Sequence, residues 1–300
     1  SLTDYAVAPR TITFTNTGDA ATNSLVTLGT AGTLADGTVV NLNNGTNAGV
    51  TLNVTSATAL GALAQVTVNG NSTLTAGITS IVLGSLSGNG TVNASGAFTL
   101  VIGNSNSSTP RNTSFSGVLT NGAGTLALMK AGLGTLTLDG STSNTQTGLT
   151  TVSAGSLVLA KTGGATALGG ALTIGAVAAS TAGNATVRLE GNGQMSVLTS
   201  DTNNLTINAG GTLDMNGHTL TVNTLSSFFG STITGPGTLV INRTGGTIGF
   251  GGVNFIGSTL QITTANSGNA TRTVSVVNAT DQITFGGSVI QAAGFTGTFN

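Results

Sequence analysis

Apolar and polar residues alternate along most of the chain in short runs. Residues 11–15 are Thr-Ile-Thr-Phe-Thr, and residues 66–68 and 205–207 are Val-Thr-Val and Leu-Thr-Ile. Strict alternation over a few residues predicts a β-strand with one buried and one exposed face. The helical pattern is minimal: residues 57–65 favour a short helix or a cap, which Gly61 weakens. The alternation therefore predicts an all-β protein with many short strands.

A five-residue unit recurs along the chain, with the order glycine, small residue, leucine, any residue, aliphatic residue. It starts at irregular intervals, at Gly124, Gly134, Gly155, Gly170, Gly211 and Gly237. Repeated strand units separated by turn residues are typical of a β-solenoid, in which each coil pairs with the next. A β-sandwich array is the competing all-β interpretation, and the scarcity of aromatic residues argues against it. We therefore expect a parallel β-helix, or β-solenoid, with short turns of glycine and asparagine.

The composition supports this expectation. The chain has 47 Gly but only 3 Pro, and charged residues make up 5% of it, against about a quarter in an ordinary globular protein. A mean hydropathy of +0.33 argues against charge-driven disorder, and a collagen helix would need abundant proline. Valine, isoleucine and threonine favour strands, whereas glycine and asparagine favour turns. The composition thus predicts strands joined by tight turns.

Phenylalanine becomes more frequent late in the chain. We therefore divide the chain into a solenoid over residues 1–225 and further β coils over residues 226–300, which are wider or packed differently. The late phenylalanines are Phe228, Phe229, Phe250, Phe255, Phe285, Phe295 and Phe299.

The charge distribution limits the classes of partner. The net charge is −1, and the 7 Lys and Arg residues are scattered, so no nucleic-acid partner is expected. Weak charge repulsion tolerates self-association. There is no Cys, hence no disulfide framework, and no apolar stretch is long enough to predict a membrane-spanning helix. Because the chain begins at Ser1 without Met, we interpret it as a mature product or a piece of a longer protein.

Residues 112–161 contain a longer pattern. Lys130-Ala-Gly-Leu-Gly-Thr-Leu-Thr-Leu-Asp-Gly140 is followed by Asn144-Thr-Gln-Thr-Gly148 and by Thr150-Thr-Val-Ser-Ala-Gly-Ser-Leu157. This pattern resembles the autotransporter-associated β-strand repeat, also called the passenger-associated transport repeat. Gln146 stands where that family usually has tyrosine, which alters one packing contact. Weaker segments of the same kind lie at residues 84–92 and 210–222.

The resemblance implies a right-handed parallel β-helix of the kind found in passengers of secreted or surface-displayed bacterial proteins. It implies a location outside the cell or at its surface, and a role in secretion, adhesion or scaffolding. It implies no catalytic residues.

Few residues carry acid–base chemistry. A glycosidase needs two carboxylates roughly 5 to 9.5 Å apart, and Asp214 would meet Glu190 or Asp201 on a neighbouring coil if the coils stack. Solvated acids in turns are the favoured alternative. The acids are Asp4, Asp19, Asp36, Asp139, Glu190, Asp201, Asp214 and Asp281.

His218 is the single histidine and follows Asn216 and Gly217, which predicts a turn. One histidine without cysteine or clustered acids does not make a zinc site. A Ser-His-Asp arrangement through His218 and Asp214 is only formal, because serine is abundant. We therefore predict no catalytic, cofactor-binding or metal-binding residues, and no enzyme activity.

Three further patterns have structural interpretations. The Gly-x-Gly pairs at residues 132/134, 191/193 and 235/237 predict turns, since none completes a phosphate-binding motif. Lys130 and Lys161 would either form isopeptide bonds with asparagine or, as we favour, lie exposed and discourage lateral strand pairing. Thr-x-Thr pairs are typical of ice-binding faces, but their irregular spacing favours ordinary outward strand positions. These pairs are 13/15, 73/75, 135/137, 219/221 and 232/234.

Three functional hypotheses remain. The leading one is a stalk or fibre subunit that self-associates head to tail, because residues 6–17 and 283–300 keep the strand pattern and leave open edges. The second is an adhesin that binds glycans or host surfaces through loops at 104–112 and 176–184. The third is a polysaccharide-active enzyme on a β-helix.

Overall fold

Short strands follow the alternating runs of the sequence. The computed structural model describes residues 8–17, 22–29, 34–43, 48–61, 63–103, 109–176, 184–196, 204–242, 248–250, 252–263, 274–276, 284–285 and 289–291. Within them 30 strands, numbered β1 to β30 in chain order, form four parallel sheets. Most strands alternate buried and half-buried residues, as Gln65–Val68 and Thr135–Leu138 do. The all-β prediction is therefore confirmed.

Sheet 1 is the longest sheet and receives one strand at a time from successive coils. Its 12 strands are, in order, β1 (Thr11–Thr15), β3 (Val39–Asn43), β5 (Gln65–Val68), β8 (Ser85–Gly88), β11 (Thr113–Phe115), β14 (Thr135–Leu138), β16 (Gly155–Leu159), β18 (Ala185–Leu189), β20 (Gly211–Asp214), β23 (Ser231–Thr234), β26 (Val253–Ile256) and β29 (Thr284–Phe285).

The other three sheets form the remaining faces of the coil. Sheet 2 contains β7 (Ser80–Leu83), β10 (Ala97–Ile102), β13 (Thr125–Lys130), β15 (Thr150–Val152), β17 (Leu172–Ile174), β19 (Leu205–Ile207), β22 (Leu225–Ser227), β25 (Ile248–Phe250) and β28 (Val274–Val276). Sheet 3 contains β2 (Ser24–Leu28), β4 (Val50–Val54), β6 (Thr73–Ala76), β9 (Thr91–Ala94) and β12 (Val118–Thr120). Sheet 4 contains β21 (His218–Val222), β24 (Gly237–Asn242), β27 (Thr259–Thr263) and β30 (Val289–Gln291).

The stacked parallel sheets make the chain a β-solenoid, as predicted. Coil length varies along sheet 1: Gln65 pairs with Ser85 across a short coil, whereas Gly155 pairs with Ala185 across a much longer one. The inward positions nevertheless stay in column. Phe115, Leu138, Leu159 and Leu189 succeed one another in register and are fully buried. The corners therefore absorb the length differences, and the apolar core continues from coil to coil.

The recurring glycine lies where the backbones of two coils approach most closely. At each of the six starts of the unit, an added Cβ atom would lie within 2.6 Å of a backbone oxygen of the preceding coil. At Gly124 that oxygen belongs to Gly96, and at Gly134 it belongs to Arg111. A side chain there would collide with main chain that has no room to move. The glycine of the repeat unit is thus required because only a residue without a side chain fits between stacked coils at this position.

The helix or cap expected at residues 57–65 is wrong. Main-chain bonds from Ala59 to Ser56, from Gly61 to Thr58 and from Ala64 to Gly61 form successive tight turns. Gly61 has a φ of 71°, which interrupts any helix. The described residues contain no helix.

The third face of the solenoid changes along its length. Sheet 3 ends at β12 and sheet 4 begins at β21, and irregular segments with buried polar side chains fill the interval. Sheets 1 and 2 continue past residue 225. The division of the chain near that residue stays a prediction.

Candidate functional sites

The structure brings Glu190 and Asp214 together through an arginine. Strands β18 and β20 are neighbours in sheet 1, and Arg188 pairs with Asp214 in register. Arg188 Nε donates to Glu190 Oε1 at 2.7 Å, and its Nη1 donates to Asp214 Oδ2 at 2.9 Å. The hydrogen bond to Glu190 is the main cause that raises the pKa of Arg188. We call Arg188, Glu190, Asp214 and Asn216 the arginine cluster.

Asn216 completes the arginine cluster. Its φ of 46° is left-handed, which asparagine tolerates better than most residues. Its Nδ2 donates to Glu190 Oε2 at 3.1 Å, and its backbone N–H donates to Asp214 Oδ1 at 3.1 Å. Each of the four carboxylate oxygens therefore accepts a hydrogen bond. The arrangement ties two coils together across the outer face of sheet 1.

The other predicted acids lie apart from this cluster. Asp36 is exposed in a turn. Asp139 accepts a 2.7 Å hydrogen bond from the Ser114 hydroxyl, and its Oδ1 is buried without a hydrogen-bond partner. Asp4, Asp19, Asp201 and Asp281 lie outside the described residues.

His218 is the first residue of β21 and is half-buried. The predicted turn immediately precedes it, and the His218 N–H closes that turn by donating to the Met215 oxygen at 2.8 Å. The carboxylate of Asp214 accepts hydrogen bonds from Arg188 and Asn216. The acid of the formal Ser-His-Asp arrangement is therefore part of the arginine cluster.

The favoured interpretation of Lys130 and Lys161 as exposed side chains is wrong. They are 2% and 3% exposed, respectively. Lys130 Nζ donates to the backbone oxygens of Ala131 at 2.7 Å, Gly132 at 2.8 Å and Ala154 at 3.3 Å, the last on the next coil. Burial lowers the pKa of Lys130 to about 8. The lysine forms a polar anchor inside a corner of the solenoid.

Lys161 forms a longer anchor. Its Nζ donates to the Gly117 oxygen at 2.7 Å, 44 residues away. Burial lowers the pKa of Lys161, and the negative charge of Asp139 opposes that shift. The Lys161 backbone is held as well, because Gln194 accepts from its N–H and donates to its oxygen, both at 2.9 Å. This contact set joins coils that are far apart in sequence.

Two residues of the repeat pattern bridge coils in the interval between sheets 3 and 4. Asn144 accepts from the Leu119 N–H at 2.9 Å and donates to the Ala167 oxygen at 2.8 Å. Gln146 is fully buried and donates to the same oxygen at 3.4 Å, while its Oε1 has no hydrogen-bond partner. The sequence pattern identified both positions but did not predict that they bridge coils. The motif at residues 144–148 was the only sequence signal that pointed to them.

The glycine and threonine patterns have ordinary places in the fold. Five glycines of the three Gly-x-Gly pairs lie in turns and bends, as predicted, whereas Gly237 is the first residue of β24. The Thr-x-Thr pairs are divided among sheets 1, 3 and 4. In sheet 1, Ser156 and Val158 follow the pair at 135/137 in register. The pairs therefore do not stack into one continuous array.

The fold defines the class of protein: a parallel β-solenoid. Within the described residues no helix is long and apolar enough to cross a membrane, and no three His, Cys, Asp or Glu residues lie close enough to hold a metal ion. Comparison of the chain with protein-family models, with curated proteins and with solved structures found no match.

Proposed function

We propose that the chain is a stalk or fibre subunit at a bacterial cell surface that associates head to tail with copies of itself. The observation that carries this proposal is the continuity of sheet 1, which runs through 12 parallel strands from β1 to β29. A solenoid of this kind is a rod whose two ends present strand edges.

The free edge at β1 supports the proposal. Within the described residues β1 pairs only with β3, through the register Thr11–Val39 to Thr15–Asn43. The Val39 N–H donates to the Arg10 oxygen at 2.8 Å. Since both main-chain groups of a residue in a parallel strand point to the same side, those of Ile12 and Phe14 face β3. Those of Thr11, Thr13 and Thr15 face the free edge, where a strand of another copy would pair.

The charge and the repeat pattern also support the proposal. The chain carries 5% charged residues and a net charge of −1, so long-range repulsion between copies is weak. The resemblance of residues 112–161 to a passenger repeat supports a location outside the cell.

Electron microscopy of the purified chain at rising concentration tests the proposal. We expect short rods at low concentration and end-to-end filaments at high concentration. Thr13→Pro removes one free-edge N–H and should shorten the filaments, whereas the control Thr13→Val keeps that N–H and should assemble normally. Separate short rods of the unchanged chain at every concentration would refute head-to-tail association.

An adhesin that binds glycans is the second candidate, favoured by the cationic corner cavity described below. The loops first considered for this role lie partly outside the described residues, which include 109–112, 176 and 184 but not 104–108 or 177–183. Deleting both loops together should abolish adhesion to a glycan-coated surface and leave the rod intact.

A further inference from the structure

A cavity lies at the corner that leads into sheet 1, across four neighbouring coils. Its volume is about 20 Å³, and it is partly open to solvent. Glycine backbone forms much of the wall, at Gly84, Gly103 and Gly132–Gly134, and Lys130 and Arg111 supply the two cationic groups. The lining residues include no acid. The cavity is therefore positive in a protein with very few charges.

Arg111 brings an unsatisfied donor to this cavity. Its Nε is buried and has no hydrogen-bond partner. A buried donor without an acceptor costs the free energy of its lost hydration. A guanidinium edge also matches the oxygen pairs of carboxylate, sulfate and phosphate groups. An anion in the cavity would lie beside the positive charge of Arg111, which lines it.

The backbone beside Arg111 offers further donors. The Ala131 N–H donates to the Ile102 oxygen at 2.8 Å, and the Thr135 N–H donates to Asn112 Oδ1 at 2.9 Å, both on the preceding coil. Between them, the N–H groups of Gly132, Leu133 and Gly134 have no acceptor among the described residues. Gly132 has a φ of 69°. Successive N–H groups around a left-handed residue form a concavity that binds anions.

Lys130 adds a buried positive charge behind this wall. Its ammonium holds the Ala131 and Gly132 oxygens, which fixes the loop that carries the free N–H groups. An anion would also offset part of the desolvation of Lys130, because opposite charges attract strongly where water is excluded.

We propose that this corner cavity binds an oxyanion, a sulfate, phosphate or carboxylate group, through Arg111 and the N–H groups of Gly132–Gly134. The anion is either free or carried by an acidic polysaccharide. This site goes beyond the stalk function. It does not depend on that function, because every group that forms the site belongs to a single copy of the chain.

Titration of the whole isotope-labelled chain by NMR, at a concentration at which it forms separate rods, tests the site. Sodium sulfate is added against sodium chloride at matched ionic strength, and the amide signals of Gly132, Leu133 and Gly134 are followed. We expect saturable shifts with sulfate. Arg111→Gln should weaken binding about tenfold or more, which corresponds to one charge-assisted hydrogen bond. Arg111→Lys should retain part of the affinity, and Arg10→Gln, which removes the same charge elsewhere, should change nothing.

A second arm separates the two sources of the anion. Oligogalacturonate is compared with monomeric galacturonate and with sulfate. Tighter binding of the oligomer indicates a polysaccharide ligand, and equal binding of monomer and oligomer indicates a free ion. Absence of saturable binding by all three probes, or affinity unchanged by Arg111→Gln in a variant with an unaltered circular dichroism spectrum, would overturn the proposal.

Discussion

The ammonium of Lys161 donates a 2.7 Å hydrogen bond to the backbone oxygen of Gly117, two coils away. Gly117, Gly140 and Lys161 occupy equivalent positions of successive coils, according to the register of sheet 1. Lys161 therefore reaches past the intervening coil, where a glycine stands. The contact lies beside the interval between β12, where sheet 3 ends, and β21, where sheet 4 begins. Among the described residues of this interval no strands of the third face pair the coils, and the lysine joins them instead.

Replacement of this lysine should loosen that interval. Lys161→Met keeps the length of the stem but leaves the Gly117 oxygen without its donor, so we expect a loss of about 2 kcal/mol in the free energy of unfolding. Urea denaturation measures it. Thr162→Met, at an exposed neighbouring position, is the matched control and should have little effect. Equal midpoints for Lys161→Met and the unchanged chain would show that the contact contributes nothing.

The burial of Lys130 makes stability depend on pH. Its pKa is about 8 in the folded state, against the ordinary lysine value of 10.5 that applies to the unfolded chain, so the unfolded chain binds more protons between those values. The free energy of unfolding should therefore rise as the pH increases from about 8 to about 10.5, by up to about 3 kcal/mol. Below pH 8 the cost of the buried charge is fully present.

Denaturant unfolding at several pH values checks this slope. Lys130→Met should remove the contribution of Lys130. The lowered pKa of Lys161 acts in the same direction, so the double variant with Lys161→Met should be flat over this range. A stability that falls between pH 8 and 10 in the unchanged chain, but not in Lys130→Met, would contradict the assigned direction.

The arginine cluster should contribute modestly and in a salt-dependent way. Arg188 and Glu190 side chains are 44% and 41% exposed, so water screens the pair. We expect Arg188→Met to cost about 1 kcal/mol or less at low salt, and less at high salt. A double-mutant cycle with Asp214→Asn isolates the contact between coils. A coupling energy of zero at low salt would show that the arginine cluster does not stabilise the contact between the two coils.

Glycine at the start of the repeat unit should be irreplaceable. In Gly124→Ala the new Cβ atom would collide with the Gly96 backbone, which cannot rotate away, so we expect a loss of about 3 kcal/mol or more. Gly163→Ala is the control: its φ is 66° but nothing lies within 4 Å, and about 1 kcal/mol is expected. Thermal denaturation compares them, and similar losses would exclude the steric explanation.

The alternation of apolar and polar residues was sufficient to predict the strands and the solenoid. It works because each inward residue of one coil stacks on an inward residue of the next, as Phe115 does on Leu138. The same rule misled for Lys130, whose position in β13 is inward. A lysine in a strand is normally assigned to the exposed face. The backbone oxygens that accept hydrogen bonds from the buried ammonium come together only when the corner folds.

The corner cavity was beyond sequence reasoning for a related reason. Its walls come from residues near 84, 103, 111 and 132, which are brought together by coils of unequal length. Gly132 and Gly134 were recognised as a turn, and Arg111 as one scattered charge. Their proximity follows from the pairing of Thr113 with Leu136 on the next coil, a register that no periodic pattern in the sequence specifies.

The unequal lengths of the coils affect how this protein can change in evolution and how it can be engineered. Since the short coil between Gln65 and Ser85 and the long coil between Gly155 and Ala185 belong to one continuous stack, insertions and deletions at a corner leave the register of the sheets unchanged. Such a molecule can acquire or lose a surface loop in a single genetic event while its interior stays the same. The corners, rather than the flat faces, are where new recognition would evolve and where a foreign peptide could be grafted for display.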